Sequence, residues 1–310
     1  IGRATGVFAS ELTAAYYAFL DAGMQVDVAS PSGGLIPVEP LSVNPIIRTA
    51  GDDRLLGDAV LRAKINDSLP IASVDIDAYD IVYLAGGWGA AFDLGFSEPL
   101  ATKITEANAA GLIIGGVCHG PLGLINATGA DGRPLVEGRR VTGVSNRQVR
   151  DLRITNTPQH PETELRSKGA LYESSKRISD VLANHWVVDG NLVTGQNQNA
   201  GPMVAREMLR LAQQRLTGAR PSRPICQNPR ARRPRAPRPS SQPQLSEVGA
   251  RAASHARRRP LHGRQHLRDT PSMPPAIAAT SGSTTLENLP AKRQVHVVGA
   301  GPVGLLLTAL

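Results

Sequence analysis

The chain has 310 residues, of which 41% are hydrophobic and 19% are charged, a balance typical of a globular α/β core. Residues 218–268 hold 13 Arg and a single acid and so contribute +12 to the net charge of +8, which leaves −4 for the rest. This confined charge argues against a folded nucleic-acid-binding domain, and no apolar run reaches the roughly 18 residues of a membrane span. We expect no signal peptide, and Cys118 and Cys226 are too few for a disulfide framework, so we expect a cytoplasmic protein.

The first 217 residues alternate between helical and strand patterns. Leu12, Tyr16 and Phe19 fall at helical spacing and predict a helix from Glu11 to Ala22, which Gly23 ends. The later predicted elements are strands over 24–29, 80–85, 112–117, 140–144, 186–188 and 191–194, and helices over about 99–110 and 202–216. Apolar strands separated by helices predict a mostly parallel sheet covered on both faces, a three-layer α/β sandwich.

The pattern lacks one element that such a fold would normally have. The chain opens on a loop and a helix, where a first strand is expected, and it stops at Leu310 within an apolar run. We therefore expect a fragment, with the N-terminal strand of the domain over residues 1–217 missing.

Residues 218–290 have a different composition. Pro, Arg, Ala and Ser dominate and no periodicity survives, so we expect a disordered linker. Three interpretations remain open: a basic arm, a solvated linker, and translated non-coding or out-of-frame sequence with Met273 as the start of the next frame. Because no aromatic residue interleaves the arginines, nucleic-acid binding is the least favoured of these.

Residues 291–310 form a third region. Residues 294–298 predict a strand, and Gly299, Gly301 and Gly304 follow it in a G-x-G-x-x-G pattern before an apolar helix start. Such a turn lets a pyrophosphate approach the backbone at a helix N-terminus. The region resembles the beginning of an FAD-dependent monooxygenase with a Rossmann-type fold. It stops before the expected acidic residue, so we interpret the glycines as vestigial and expect no cofactor to bind.

The most informative motif is residues 115–121, Gly-Gly-Val-Cys-His-Gly-Pro. An apolar strand runs into Cys118, and a helix is predicted from about Pro121 to Asn126, which is the layout of a nucleophile elbow. The N-terminus of that helix would favour the thiolate, so we expect a lowered pKa for Cys118. The alternative is a buried structural cysteine, which the flanking glycines make less favoured.

A second histidine competes for the role of catalytic base. His160 and Glu162 resemble the His-x-Glu element of glutamine amidotransferases, in which histidine activates the cysteine and glutamate orients it. Pro161 is also explained as the first residue of a helix over 162–168. His262 and His266 have a ligand-like spacing, but no further ligand lies nearby in the sequence, so we predict no metal site.

Six motifs across residues 5–212 together resemble the PfpI-type, class I glutamine amidotransferase-like superfamily. Within it they are most similar to the chaperone and glyoxalase III branch, which is related to the parkinsonism-associated deglycase. The motifs are TGVF at 5–8 leading to Glu11, ASP at 29–31 with Gly33 and Gly34, AGGWGA at 85–90, VCHGP at 117–121, GRRVTG at 138–143 and VTGQN at 193–197. The resemblance implies a flavodoxin-like sandwich that is commonly a homodimer.

The resemblance also implies roles for individual residues. Cys118 is the nucleophile, His119 is its neighbouring imidazole, and Glu11 is the acid that hydrogen-bonds the thiolate. The backbone at Gly86 and Gly87, with that of His119 as a further candidate, would form the oxyanion hole. A carboxyl buried beside a thiolate should have a raised pKa, so we expect Glu11 to be protonated and able to shuttle protons.

Two departures from the family pattern leave part of the site open. Trp88 stands where many relatives have a histidine, which removes a candidate metal ligand. The acid that the family often supplies near Val149 is absent, and Asp151 falls too late in the sequence. The third member of a Cys-His-acid triad is therefore unassigned.

By this resemblance we expect a glyoxalase III-like enzyme of the lactate dehydratase (lyase) type, or a related deglycase. It would act on small reactive aldehydes, converting methylglyoxal to lactate without glutathione, metal or other cofactor. Two alternatives stay open: a cysteine hydrolase or amidase using Cys118 and His160, and a holdase chaperone that binds unfolded clients. A role in the stress response is compatible with both the enzyme and the chaperone.

Overall fold

The computed structural model describes residues 5–154, 156–175 and 183–217, together with the backbone of a strand at 294–298. The helices in this part of the chain are α1 (Ala9–Asp21), α2 (Ala50–Gly57), α3 (Ala59–Asn66), α4 (Ala90–Asp93), α5 (Glu98–Ala109), α6 (Asn146–Asp151), α7 (Pro161–Ser167) and α8 (Gly201–Thr217). The strands are β1 (Gln25–Ser30), β2 (Leu69–Pro70), β3 (Ile81–Leu84), β4 (Ile113–Val117), β5 (Arg140–Val141), β6 (Leu171–Tyr172), β7 (Trp186–Asp189), β8 (Leu192–Gly195) and β9 (Gln294–Val298).

Seven strands form one sheet in the order β2-β1-β9-β3-β4-β8-β7. Every neighbouring pair is parallel except β7 and β8, which form a hairpin around Gly190. The four residues of β3 and the five of β4 are all buried, as expected for strands covered on both faces. The predicted mostly parallel α/β sandwich is therefore confirmed.

The strand between β1 and β3 comes from the far end of the chain. β9 pairs with β1 from Gln25↔Gln294 to Ala29↔Val298, and with β3 from Ile81↔Val295 to Leu84↔Val298. The strand predicted over 294–298 is thus present, and it lies between β1 and β3 in this sheet. The remaining residues of 291–310, including Gly299, Gly301 and Gly304, lie outside the described residues, as does the predicted linker.

Helix α1 carries the first candidate site residue and packs against the sheet. Leu12, Tyr16 and Phe19 are buried, and the spacing that predicted the helix is the spacing of this face. The helix ends where expected, because Gly23 adopts a φ of +82°, which residues with a Cβ disfavour. α1 therefore begins close to the carboxyl ends of the strands and runs back along the sheet.

Helix α8 packs closely on the middle of the sheet. A Cβ atom on Gly115 of β4 would lie 2.7 Å from the Met208 sulfur, so only glycine permits this approach. α5 also packs against β4, and its Leu100 and Ile104 are fully buried. Both helices therefore cover β4, and β4 leads directly into Cys118.

Several elements differ from the sequence predictions. The strand predicted over 140–144 is only two residues long, and the helix predicted from Pro121 to Asn126 is a short 3-10 helix over Gly120–Leu124. α2, α3 and α6 were not predicted, since all three are short and the capping side chains of Thr49, Asp58 and Ser145 are their main local signal. Within the described ranges, no helix is both long and apolar enough to cross a membrane.

Candidate active site

Cys118 occupies a sharp turn between β4 and the 3-10 helix Gly120–Leu124. Its φ of +60° is in the left-handed region, which is strained for a residue with a side chain and typical of a nucleophile elbow. Two backbone hydrogen bonds hold the turn: the Cys118 amide donates to the Gly195 carbonyl, and the Cys118 carbonyl accepts from Val144, both at 3.0 Å. The predicted elbow is present.

Small residues on either side of Cys118 let the turn approach β3. A Cβ on Gly116 would lie 2.6 Å from the Leu84 carbonyl oxygen, and one on Gly120 would overlap the same carbonyl. The flanking glycines are therefore required by a close backbone approach, which explains the Gly-x-Cys-x-Gly pattern physically. Cys118 itself is 7% exposed.

Glu11 lies in the first turn of α1 and points into the protein. Its side chain is 1% exposed and lies against Cys118 and Gly86, and its Oε2 atom has no hydrogen-bond partner among the described residues. Burial raises the pKa of Glu11 to about 8, and the nearby Cys118 thiol and Gly86 amide offset only part of that increase. The carboxyl is thus protonated below about pH 8, in the direction that sequence analysis expected.

The turn after β3 closes the other side of this pocket. A Cβ on Gly86 would clash with the Glu11 carboxyl and lie 2.7 Å from the His119 amide nitrogen. Gly87 has a φ of +110°, and a Cβ there would lie 2.5 Å from the amide nitrogen of Phe8. These two glycines allow the start of α1, the turn after β3 and the Cys118 elbow to meet.

The pKa of Cys118 is opposite to the sequence prediction. Burial, the Glu11 charge and the Glu11 hydrogen bond raise it well above its ordinary value, while the backbone amides of Gly87 and His119 lower it. The predicted lowering relied on a helix N-terminus, but the element that follows is a five-residue 3-10 helix. So short an element supplies little dipole, and desolvation dominates. Cys118 and Glu11 therefore both retain their protons at neutral pH.

His119 is fully buried next to the thiol. Its Nδ1 atom lies 3.4 Å from Cys118 Sγ, and its ring packs on Trp88 with centroids 4.6 Å apart. Burial and the nearby His160 lower the pKa of His119 to about 3, so the imidazole is neutral. A neutral imidazole can hydrogen-bond the sulfur, but with this pKa it is too weak a base to take the thiol proton, and it supplies no positive charge to a thiolate.

His160 and Glu162, the alternative catalytic pair, have interaction partners other than Cys118. His160 Nδ1 lies 3.2 Å from Thr157 Oγ1, while Glu162 accepts the Asn146 amide at 2.8 Å and pairs with Arg166 at 3.0 Å. Glu162 therefore holds α6 and α7 together rather than orienting His160. His160 also contributes to the lowered pKa of His119.

No carboxylate of α6 completes a triad in the described structure. Asp151 pairs with Arg147 at 3.6 Å, on the exposed side of the helix. The side chain of Gln148 is instead buried, and its Oε1 atom has no hydrogen-bond partner among the described residues. In the described structure, as in the sequence, α6 therefore supplies no acid that could serve as the third member of the triad.

Sequence analysis missed two residues that shape the site. The Tyr83 hydroxyl donates to the Glu11 carbonyl at 2.9 Å and anchors α1 to β3, although its only local signal is a polar atom in an apolar strand. Trp88 was noted only as a replaced histidine, whereas its ring covers His119. Neither contact is local in sequence, so neither had a detectable pattern.

The described residues offer no obvious metal site. Within residues 5–154, 156–175 and 183–217, no three His, Cys, Asp or Glu side chains lie together as metal ligands would. His262 and His266 lie outside the described residues. The cofactor-free mechanism stays a prediction.

Comparison with known proteins identifies the family to which this chain is similar. The model of the DJ-1/PfpI family matches residues 3–211. The solved structure of the Rapid Encystment Protein 24 KDa from Francisella tularensis is 29% identical, with a TM-score of 0.63, and the match covers 67% of this chain and 90% of that one.

Two yeast proteins carry names that describe an activity. The glutathione-independent glyoxalase hsp3101 of Schizosaccharomyces pombe is 25% identical over 223 residues, which is 68% of this chain and 89% of that protein. The probable glutathione-independent glyoxalase HSP32 of Saccharomyces cerevisiae is 29% identical over 212 residues, covering 64% of this chain and 86% of that protein. Both matches are about as long as residues 1–217.

Proposed function

Because this chain belongs to the DJ-1/PfpI family, we propose that it is a glutathione-independent glyoxalase, an enzyme that converts methylglyoxal and water to lactate. The observation that carries the proposal is the Glu11 carboxyl, buried against the Cys118 thiol with a pKa raised to about 8. A carboxyl that loses or regains its proton near pH 8 beside a thiol is suited to moving hydrogen between adjacent carbons of one substrate.

In the first step Cys118 adds to the aldehyde carbon. The Glu11 carboxylate, formed as its proton is lost near pH 8, takes the S–H proton while the sulfur bonds to carbon. The aldehyde oxygen then receives that proton from Glu11, which gives a hemithioacetal. The amides of Gly87 and His119 already point at the sulfur, so they are the donors best placed to stabilise the developing oxyanion. The backbone amide of Gly86 interacts with the Glu11 carboxyl instead.

In the second step Glu11 transfers hydrogen from one substrate carbon to the next. Its carboxylate takes the proton from the former aldehyde carbon, forming an enediolate, and returns it to the former ketone carbon after the hydroxyl proton has passed from the first oxygen to the second. The product is a lactoyl thioester on Cys118, at the same oxidation level as the hemithioacetal. Water then hydrolyses the thioester, releasing lactate and restoring the thiol, so no external oxidant or reductant is needed. The overall reaction fits the lactate dehydratase type of lyase.

His119 supports the sulfur throughout. With a pKa near 3 it stays neutral, and Nδ1 at 3.4 Å hydrogen-bonds the thiol or thiolate without holding a charge against it. Trp88 keeps its ring in place. This role makes His119 a positioning residue for Cys118.

The test is lactate formation from methylglyoxal without glutathione, using the full chain. Cys118→Ser and Glu11→Gln should each lose at least about 100-fold in kcat/KM, since each removes a group that acts in the transition state. Glu98→Gln, at an exposed acid in the first turn of α5, is the matched control and should retain full activity. A folded wild-type protein without lactate formation would overturn the proposal.

We keep as parts of the same proposal a homodimer, which the family resemblance implies, and a cytoplasmic location, which the two cysteines favour. Light scattering coupled to size-exclusion chromatography measures the first, and a tagged full-length chain in cells measures the second. A monomer at micromolar concentration would contradict the dimer.

A further inference from the structure

Tyr83 of β3 contacts the residue that carries the candidate catalytic acid. Its side chain is fully buried, and its hydroxyl donates to the backbone carbonyl of Glu11 at 2.9 Å. The two residues are 72 positions apart in sequence, so this bond joins the central sheet directly to the first turn of α1. Phe19 of the same helix packs edge-on against the Tyr83 ring, with centroids 6.1 Å apart. One polar and one aromatic contact therefore fix the Tyr83 side chain against α1.

Helix α1 does not need this bond for its own backbone pairing. Because Glu11 lies within the helix, its carbonyl also accepts the amide four residues later, that of Ala15. A carbonyl oxygen has two lone pairs, and the Tyr83 hydroxyl uses the second one. Loss of the hydroxyl would thus leave no backbone group of the helix without a partner, and the stability of the fold should depend on it only weakly. The main effect of the bond is therefore on geometry.

The turn that follows β3 holds two further parts of the start of α1. The amide of Phe8, the residue before the helix, donates to the Gly86 carbonyl at 3.2 Å, and the Glu11 carboxyl lies against Gly86. A helix held only at its first residue could still rotate about its axis. The Tyr83 bond to the Glu11 carbonyl is a second main-chain attachment, and it removes that rotation at the residue that carries the carboxyl.

Tyr83 also lies on the strand that pairs with the strand of the nucleophile. β3 and β4 are parallel neighbours with Tyr83 opposite Gly115, and Cys118 follows three residues after Gly115. A position that is fixed relative to β3 is therefore also fixed relative to the thiol. Burial and the charges of Glu11 and Cys118 raise the pKa of Tyr83 well above its ordinary value. The Tyr83 hydroxyl therefore keeps its proton and remains a donor while the other two groups titrate.

We infer that Tyr83 is a positioning residue for Glu11: its hydroxyl sets the rotation of the first turn of α1 and so holds the carboxyl against the Cys118 thiol. The role is indirect, because the bond is to the main chain of Glu11 and not to its carboxyl. Without the hydroxyl, the first turn of α1 rotates more freely, and the carboxyl spends part of its time away from the thiol and closer to solvent. The inference rests on the Glu11–Cys118 pair of the proposed glyoxalase, but not on the identity of the substrate.

Tyr83→Phe in the full chain removes the bond and keeps the ring. We expect kcat/KM for methylglyoxal to fall about 10-fold, mostly through kcat, because the carboxyl is no longer held in the reactive geometry. The pH at which alkylation of Cys118 by iodoacetamide rises should move below about 8, since the pKa of a more solvated carboxyl lies closer to its ordinary value. The urea midpoint should fall only slightly.

Tyr17→Phe is the matched control. Tyr17 lies on the same helix and is also buried, and its hydroxyl donates to Asp58 at 3.2 Å. Its loss removes a hydrogen bond between α1 and another element without touching the first turn, so kcat/KM and the alkylation profile should both stay at the wild-type values. A folded Tyr83→Phe variant with the wild-type alkylation profile would overturn the inference.

A double variant separates positioning from a general loosening of the fold. In Glu11→Gln the acid through which Tyr83 acts is absent, so adding Tyr83→Phe should change the rate of Cys118 alkylation by less than about twofold. A loosened fold would instead expose the thiol to the same extent with or without the acid. Equal effects of Tyr83→Phe in the wild-type and Glu11→Gln backgrounds would therefore contradict a positioning role.

A measurement on the wild-type chain tests the same coupling even if Tyr83→Phe does not fold. The ¹³Cζ resonance of Tyr83 should shift with a midpoint near pH 8 as the Glu11 carboxyl ionises, and this shift should be absent in Glu11→Gln. A resonance that does not follow Glu11 would overturn the inference. Failure of the glyoxalase proposal would look different, because the wild-type protein would form no lactate while the alkylation profile still depended on Tyr83.

Discussion

The carboxyl of Glu11 lies against the thiol of Cys118 in a pocket where neither side chain is more than 7% exposed. One residue comes from the first turn of α1 and the other from the elbow after β4. Burial raises the pKa of both, so the pair is neutral at rest and becomes nucleophilic when one proton leaves. Desolvation therefore sets the reactivity of the site. The backbone amides of Gly87 and His119 oppose it, because they lower the pKa of Cys118.

The thiol reactivity of Cys118 should follow this shared proton. Alkylation by iodoacetamide should rise with pH through about 8 in wild type, since a Glu11 carboxylate is then available as a base. In Glu11→Gln that step should disappear and reactivity should rise only at higher pH. Peptide mass spectrometry separates Cys118 from Cys226. A wild-type profile without a step near pH 8 would refute the assignment.

The same carboxyl should make stability depend on pH. In the unfolded chain Glu11 ionises near 4.5, whereas in the folded protein it keeps its proton to about 8. Between these values unfolding releases a proton, so the free energy of unfolding falls as pH rises, by up to about 1.4 kcal/mol per pH unit from this group. Glu11→Gln should remove this slope and stabilise the protein at pH 8 by about 2–4 kcal/mol. Urea denaturation at pH 5 and pH 8 measures both; identical slopes in the two proteins would contradict the expectation.

Gly86 should tolerate no side chain. A Cβ there would clash with the Glu11 carboxyl and approach the Val117 carbonyl to 2.6 Å, so Gly86→Ala should lower kcat/KM at least about 100-fold and destabilise the fold by about 1–3 kcal/mol. Gly57→Ala, in α2 with open space around the new Cβ, is the control and should be neutral or slightly stabilising. Equal activities in the two variants would be inconsistent with the close packing of the pocket.

Substitutions of His119 and of His160 should have clearly different effects on activity. His119→Ala removes the ring beside Cys118 Sγ and should lower activity at least about 30-fold, whereas His160→Ala removes a Thr157 contact and should stay within about threefold. Steady-state kinetics with methylglyoxal and with simple amides distinguishes a glyoxalase from a cysteine amidase that uses His160. If His160→Ala abolished turnover while Glu11→Gln retained it, the site would be a cysteine hydrolase that uses His160.

Local sequence predicted much of the framework because its signals act over short distances. The apolar spacing of Leu12, Tyr16 and Phe19 predicted α1, and Gly23 marked its end within two residues. The glycines around Cys118 predicted the elbow because a tight turn and a close backbone approach leave a pattern in adjacent residues. The family resemblance then implied that Glu11, Gly86 and Gly87 meet Cys118, and the structure brings them together.

Tertiary structure alone decided the electrostatics and the closure of the sheet. The sign of the Cys118 pKa shift depends on desolvation by elements far apart in sequence, and the local expectation from a helix N-terminus was wrong because that helix is too short. The placement of residues 294–298 between β1 and β3 depends on two ladders formed with remote strands. Hydrogen bonding and burial at long sequence separation leave no periodic signal, which is why local patterns predicted most of the main elements and the fold class but not these two features.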